Sequence, residues 1–325
     1  MGALMRDDKT TSANDPMQPT APPTAGEAAQ VASKRSGKSR TLWSDATRRL
    51  RRNRLAMIGL AWIFIIVVIA LSADLWAPQW LGSPSEFDST TMGELKHLPP
   101  SAEHPFGTDK RGLDVASRIV YGSRYSLAVG IIATSIALSI GLVMGTLAAY
   151  YGGFIDSLVM RLADVFLAFP YILFAIALIA VLGRGFVNLF IAIGVLAWPT
   201  IARVVRSSIL SVKENEYVDA ARALGASDIR IMLRHMLPNA MAPIIVYGTM
   251  SIGGAILSEA ALSFLGLGVQ FPDPSWGHML SEARGEMISY PWLMIFPGAA
   301  ILTTVLAFVL LGDGLRDALD VKMKD

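Results

Sequence analysis

Six long apolar runs, separated by polar connections, constrain the fold of this chain more than any other feature of its sequence. Each run is close to the ~20 residues that an α-helix needs to cross the hydrocarbon core of a bilayer. Helices are expected because unpaired backbone groups are costly in lipid. We therefore predict an all-α polytopic membrane protein with six transmembrane helices, approximately at 55–73, 126–150, 165–183, 186–205, 243–268 and 292–311.

The overall composition agrees with this prediction. Hydrophobic residues make up 53% of the 325 residues and charged residues only 17%, against about 25% in typical soluble domains. The sequence has no cysteine, which excludes disulfides, thiol catalysis and cysteine-ligated metals. The four histidines show no metal-ligand spacing, so we expect solvated loop residues and no metal site. They are His97, His104, His235 and His278.

The placement of the basic residues predicts the orientation in the membrane. Eleven of them precede the first span, five of these within residues 48–54. With the N-terminus inside, 21 of the 28 Lys and Arg residues lie on the cytoplasmic side, as the positive-inside rule favours. We therefore predict that both termini are cytoplasmic.

The distribution of polar residues divides the chain into five parts. Residues 1–40 are rich in Ala, Pro, Thr and Ser without apolar periodicity, which predicts a disordered cytoplasmic tail. A basic segment and the first span (41–73) precede an external loop (74–124), a five-helix core (125–312) and a cytoplasmic tail (313–325). The core includes a cytoplasmic loop at 214–238. Near the end of the external loop, apolar residues alternate with charged ones, which predicts a helix lying along the outer membrane surface. They are Leu113, Val115, Ile119 and Val120.

A polar, alanine-rich insert, EYVDAARALGASDIRIMLRHMLPN (216–239), separates the fourth and fifth spans. Four residues fall at helical spacing on one face: Tyr217, Ala220, Ala221 and Leu224. Gly225 suits the left-handed residue that ends a helix. Ser227 is placed to cap a second short helix, which Pro238 should stop. From the residues alone, the insert either docks its small-residue face into a partner protein or rests on the membrane surface.

The insert resembles the EAA loop of the membrane subunits of ABC importers. The resemblance rests on Asp219-Ala220-Ala221, on Gly225 four positions later and on position 235 two residues before Leu237-Pro238. Asp219 replaces the usual Glu and keeps its charge, while His235 stands where Ile is usual. Five further stretches resemble the second permease subunit of dipeptide/oligopeptide importers: HPFGTDKRGLDVASRIVYGSRYSL, YYGGFIDSLVMRLADVFLAFP, SEAALSFLGLG, PSWGHMLSEAR and LLGDGLRDALD. Leu113 departs from that family, which usually has Arg there.

This resemblance implies a type I ABC importer permease fold, and a permease subunit of an ATP-driven, binding-protein-dependent importer of di- or oligopeptides in a bacterial inner membrane. The implied partners are a homologous second permease subunit, two cytoplasmic ABC ATPase subunits, an external substrate-binding protein and membrane lipid, with no nucleic acid. This chain would do no chemistry and hold no cofactor, since ATP and Mg would be bound by the ATPases. The segment Gly37-Lys38-Ser39 resembles the end of a phosphate-binding loop but has Ala32 where the first glycine is required. Coupling to the ATPases would fall to Glu216, Tyr217, Asp219, Ala220, Ala221, Arg222, Leu224 and Gly225.

Glu259 is the one acidic residue well inside a predicted span, which makes it a candidate for function by default. It serves either in gating or as a structural residue bonded to neighbouring helices. A single such residue does not suit an ion-coupled secondary transporter, which needs several. The sequence also offers no paired carboxylates or nucleophile–base set for a membrane enzyme. Within the family, an importer of nickel or of glutathione is the alternative.

Overall fold

Helices make up nearly all regular structure in residues 42–83, 85 and 92–320, which are the residues that the computed structural model describes. The predicted disordered tail (1–40) and the end of the C-terminal tail (321–325) lie outside this part. In chain order the helices are α1 Leu42–Arg52, α2 Arg54–Trp80, α3 Met92–Leu95, α4 Val115–Tyr151, α5 Gly153–Ala168, α6 Tyr171–Leu182, α7 Phe186–Lys213, α8 Glu216–Ala223, α9 Asp228–Arg230, α10 Leu237–Phe264, α11 Trp276–Ala283 and α12 Trp292–Leu319.

Five helical segments are long and apolar enough to cross a membrane, and a sixth follows if α5 and α6 count as one span. The five are α2, α4, α7, α12 and the continuous helix from Asp228 to Phe264. The predicted all-helical, polytopic fold is therefore confirmed. The helix α12 continues to Leu319, past residue 313, where the predicted cytoplasmic tail begins.

The third predicted span, 165–183, is not a single helix. The helices α5 and α6 are bent by 92° relative to each other. Phe169, between them, has extended backbone angles (φ −89°, ψ 138°), as is usual for a residue before proline. Pro170 has no N–H to continue the hydrogen bonding of α5. The third apolar segment is therefore a bent pair of helices.

The separate surface helix predicted around residues 113–120 is also wrong. The helix α4 begins at Val115, where the Asp114 carboxylate accepts a hydrogen bond from the Ser117 N–H at 2.9 Å, and it continues without a break to Tyr151. Leu113 and Val115 are 3% and 1% exposed. Their apolar side chains pack inside the protein, so this segment leads directly into the long helix α4.

Small residues allow the membrane helices to approach closely. At Gly145 of α4, an added Cβ would lie 2.5 Å from the Ala202 carbonyl oxygen of α7. At Gly194 of α7, it would lie 2.8 Å from the Ala133 oxygen of α4. Such contacts between small residues are a common way for helices to pack in membranes. The pair α4 and α7 forms the part of the core on which the polar insert rests.

Candidate functional site

The polar insert begins as a short helix, α8, that follows α7 after two residues. Glu216 and Asp219 lie in its first turn, where the helix dipole favours acidic side chains. Gly225 has φ +78°, so its predicted left-handed conformation is confirmed. The Ala226 N–H donates to the Ala221 carbonyl oxygen at 3.1 Å, which closes the end of the helix as such glycine caps do.

The two faces of α8 have opposite environments. Val218 and Ala221 are 0% and 8% exposed and pack into a core cluster with residues of α4, α7 and α10. Leu224 is 89% exposed and Tyr217 is 42% exposed. The remaining coupling candidates are also exposed: Glu216, Asp219, Ala220, Arg222 and Gly225.

The prediction that Ala220 and Ala221 share one exposed face is therefore wrong for Ala221. Ala221 lies three positions after Val218 and shares its inward side of the helix, so it contacts the protein's own core. Ala220 points outward with Tyr217 and Leu224. The outward side of α8 available to a partner consists of these three residues and their polar neighbours.

The second half of the insert does not end at Pro238 as we predicted. A π-helical turn, Ile231–Met236, joins α9 to α10, and the Leu237 N–H donates to the Met232 carbonyl oxygen five residues back. In an α-helix, the ring of Pro238 would crowd the preceding turn. The π-helical turn is wider and leaves room for the ring. Ser227 occupies the cap position, but its side chain makes no capping hydrogen bond. The insert therefore passes directly into the fifth span.

Two side chains near the ends of α4 and α7 hold the base of the insert. The Tyr150 hydroxyl donates to the Asp228 carboxylate at 2.7 Å. The Lys213 ammonium, at the end of α7, donates to the carbonyl oxygens of Ala149 and Tyr150 at 3.0 and 2.7 Å. A cation near the last carbonyls of a helix is stabilising. These contacts connect the insert rigidly to the second span, and sequence reasoning did not find them.

Two ion pairs connect α5 with α7. Arg206 donates both Nε and a terminal nitrogen to the Asp156 carboxylate, each at 2.5 Å, and Arg203 pairs with Asp164. Because a bidentate arginine–carboxylate contact has a defined geometry, the Arg206–Asp156 pair fixes the position of α5 relative to α7.

Glu259 is completely buried and joins three helices. Its carboxyl group accepts hydrogen bonds from Ser263 on its own helix at 2.7 Å and from Ser126 on α4 at 3.1 Å. The Ser126 hydroxyl oxygen also accepts a hydrogen bond from the backbone N–H of Trp276, at the beginning of α11, at 3.4 Å. Of the two predicted roles, these bonds favour the structural one, in which Glu259 connects α10, α4 and α11.

A second polar cluster joins the segment before α4 to α11. We call it the Arg118 cluster, and it consists of Asp109, Arg111, Arg118, His278 and Glu282. The Arg118 side chain is 2% exposed and contacts Asp109 at 2.6 Å and Glu282 at 2.7 Å. Arg111 pairs with Glu282, and the His278 Nε2 atom lies 3.7 Å from the same carboxylate. The quoted motifs HPFGTDKRGLDVASR and PSWGHMLSEAR contain all five residues, but their spacing along the chain gave no sign that they meet.

Burial and the neighbouring charges shift the pKa values of two members of the Arg118 cluster, Glu282 and His278. Burial acts to raise the pKa of Glu282, but Arg118, His278 and Arg111 together outweigh burial, so the pKa is lowered. Burial lowers the pKa of His278, with Glu282 opposing and Arg118 adding to the shift.

Two histidines expected to be solvated are held in specific contacts. The His278 side chain is 13% exposed. The His97 ring stacks on Tyr290 with centroids 4.0 Å apart, and its Nε2 lies 2.7 Å from the Glu286 carboxylate. The expectation of solvated loop residues is therefore wrong for both.

Comparison with known proteins identifies the family. Residues 126–325 match the family described as "Binding-protein-dependent transport system inner membrane component". The chain belongs to this family. Residues 41–100 also match the "N-terminal TM domain of oligopeptide transport permease C". The protein is therefore a multi-pass inner-membrane permease, and its family is one of transport components and not of ATPases.

The relatives of this permease include proteins named as dipeptide permeases and as glutathione permeases. The chain is 48% identical over 282 residues to the dipeptide transport system permease protein DppC of Alkalihalophilus pseudofirmus, covering 87% of this chain and 90% of the relative. It is 46% identical over 285 residues to the glutathione transport system permease protein GsiD of Escherichia coli, covering 88% and 92%. Among solved structures, an inward-facing MetNI methionine ABC transporter is similar in fold, with a TM-score of 0.53 and 20% identity over 62% of this chain and 96% of that chain.

Proposed function

We propose that this chain forms half of the membrane pathway of an ATP-driven, binding-protein-dependent importer of di- or oligopeptides. The other half would be a homologous permease subunit. Two cytoplasmic ATPases would bind ATP and Mg, and an external binding protein would deliver the substrate. The similarity to the dipeptide permease over most of both chains supports the substrate class.

The exposed apolar surface of the insert carries this proposal. Four large apolar residues of this otherwise polar segment are 42%, 89%, 66% and 60% exposed: Tyr217, Leu224, Ile229 and Leu233. A group of exposed apolar side chains with polar neighbours marks a contact with another protein or with a membrane. The opposite side of α8 is anchored in the core through Val218 and Ala221, so a push on the exposed side is transmitted to α4 and α7. Such a helix suits docking to an ATPase that moves during its cycle.

The similarity to the glutathione permease supports a second candidate substrate. Reconstitution of the chain with its permease partner, both ATPases and the binding protein in proteoliposomes distinguishes the candidates. We expect labelled dipeptide to accumulate only when ATP is supplied on the ATPase side. Uptake of glutathione but not of dipeptides would replace the peptide assignment, and accumulation of either without ATP would contradict the proposed energy source.

A further inference from the structure

The short helix α1 and the beginning of α2 are strongly basic. Four of the eleven residues of α1 are arginines, and a fifth arginine begins α2: Arg48, Arg49, Arg51, Arg52 and Arg54. The one acidic residue of α1, Asp45, is paired with Arg48 at 2.9 Å. Within the described part of the chain, Arg51, Arg52 and Arg54 form no ion pair or side-chain hydrogen bond. This segment therefore carries positive charge that the protein itself does not neutralise.

Contacts with the end of α12 determine which side of α1 faces the protein. Arg49 donates to the Asp320 carbonyl oxygen at 2.9 Å, and the side-chain amide of Asn53, directly after α1, donates to the Asp317 carboxylate at 3.3 Å. Ala46 is 7% exposed. Ala46, Arg49 and Asn53 follow one another at the three- and four-residue spacing of a single helix side, so this side packs against α12.

The opposite side of α1 points away from the protein. Arg48 and Arg52 are four positions apart, and Arg51 is three positions after Arg48, so the three share this side. All three are exposed, as is Arg54. The Asp317 carboxylate contacts Asn53 on the other side. We call Arg48, Arg51, Arg52 and Arg54 the basic patch.

The helix α2 indicates the depth of the basic patch in the membrane. Leu55 and Ile58, near the beginning of this span, are 60% and 61% exposed. Apolar side chains that a span leaves exposed contact the acyl chains, since lipid tails are as apolar as leucine. Ile58 follows Arg54 by four residues, a rise of ~6 Å along a helix, and arginine extends its charged end toward the membrane surface. The guanidinium groups therefore lie at the depth of the lipid headgroups.

From these observations we propose that the basic patch binds the phosphate groups of anionic phospholipids beside the beginning of α2. The guanidinium group can donate two hydrogen bonds to one phosphate. Clusters of four or more basic residues directly beside a span attract anionic lipids. In the predicted topology these lipids belong to the cytoplasmic leaflet. The site is independent of the transported substrate, and the contacts of Arg49 and Asn53 connect it to the last span, α12.

The natural lack of cysteine allows a site-specific test on the full chain. Ser44 is exposed and lies four positions before Arg48 on the same side of α1, so Ser44→Cys places a fluorophore beside the basic patch. Ala102→Cys places it at an exposed position in the predicted external loop. Each labelled chain is reconstituted in phosphatidylcholine nanodiscs with increasing fractions of spin-labelled phosphatidylglycerol or spin-labelled phosphatidylcholine. Quenching of the fluorophore then measures how much of each lipid lies near it.

We expect phosphatidylglycerol to quench the fluorophore at 44 at a lower lipid fraction than phosphatidylcholine does, and the two lipids to act equally at 102. Replacing Arg51, Arg52 and Arg54 together with Gln should raise the half-quenching fraction of phosphatidylglycerol about fivefold or more, the factor that corresponds to the attraction of one basic residue. Replacing the same three residues with Lys keeps the charge and should retain most of the preference, which separates loss of charge from misfolding. Salt at ~1 M should weaken the preference, because it screens charges beyond ~3 Å.

Two results would overturn the inference. The first is equal quenching by the two lipids at position 44, or a preference that the glutamine variant leaves unchanged. The second assigns the basic patch to a protein partner. If the lipid preference is absent and the glutamine variant no longer co-purifies with the ATPases, the patch binds an acidic protein surface and the lipid site is wrong.

Discussion

At the scale of single residues, two adjacent alanines show how burial assigns different roles to identical side chains. Ala220 and Ala221 are neighbours in α8, but Ala220 is exposed and Ala221 is 8% exposed. A step of one residue turns a helix by about 100°. Only Ala220 is therefore available to a partner, and Ala221 serves to seat the helix on the core.

Tryptophan substitutions at these two positions should consequently fail for different reasons. Ala221→Trp should destabilise the chain by about 1–3 kcal/mol or more, because the cluster around Val218 has no room for the larger side chain. Ala220→Trp should leave the unfolding midpoint of the purified chain close to wild type but weaken co-purification of the ATPases. Equal loss of stability in both variants, or full ATPase binding by Ala220→Trp, would contradict the assignment of the two faces.

At the scale of helices, the contacts at the base of the insert connect it to the membrane helices. Tyr150 connects the end of α4 to Asp228, and Lys213 connects α7 to the same end of α4. The bidentate pair of Arg206 and Asp156 adds α5 to this rigid group. A displacement of α8 should thus move three membrane helices together.

Tyr150→Phe tests this connection. It removes the hydrogen bond to a carboxylate, a bond worth about 1.5–3 kcal/mol. We expect ATPase binding to persist while the amount of peptide transported per ATP hydrolysed falls. Tyr151→Phe is the matched control, because Tyr151 is 48% exposed and should tolerate the change. A transport ratio in Tyr150→Phe equal to that of the control would show that the hydrogen bond carries no coupling.

The Arg118 cluster predicts that the protein loses stability in acid. Glu282 has a lowered pKa, so its stabilising contribution is complete above its unfolded value of 4.5 and is lost as pH falls through the lower folded value. His278 also has a lowered pKa, so its contribution is present above 6.5 and declines as pH falls below it. Both groups bind fewer protons in the folded state, and stability must decrease toward low pH.

Thermal unfolding of the purified chain between pH 8 and pH 3 measures this effect. The midpoint should fall as the pH decreases. His278→Gln should flatten the part of the curve just below pH 6.5, and Glu282→Gln should flatten the part below pH 4.5. If the unfolding midpoints of both variants fall with pH as that of the wild type does, groups outside the Arg118 cluster cause the acid sensitivity.

At the scale of the whole molecule, the orientation in the membrane is a further prediction. It follows from the excess of basic residues on one side. Ala102 and Ser227 are both exposed and lie on opposite sides in the proposed topology. A cysteine at 102 should react with an impermeant thiol reagent in intact spheroplasts, and a cysteine at 227 only after permeabilisation. The reverse pattern would invert the topology.

Some of this structure could be predicted from the sequence, and the reasons for the failures are physical. The apolar runs and the conformation of Gly225 depend on local properties, and both were predicted. The effect of a proline depends on its surroundings, so Pro170 separates two helices while Pro238 follows a π-helical turn. The Arg118 cluster depends on contacts between residues as far apart as Arg111 and Glu282, which no local pattern specifies.

The central claim is that the outward face of α8 transmits ATP hydrolysis to the permease, and Leu224 tests it most directly. Leu224 is 89% exposed, so a charge there should not disturb the fold. The measurement is ATP-driven dipeptide uptake by the complete system in proteoliposomes, with Leu224→Met as the control that keeps an apolar side chain. We predict that Leu224→Arg abolishes uptake and ATPase co-purification while Leu224→Met retains both. Normal uptake by Leu224→Arg at normal membrane levels would contradict the claim.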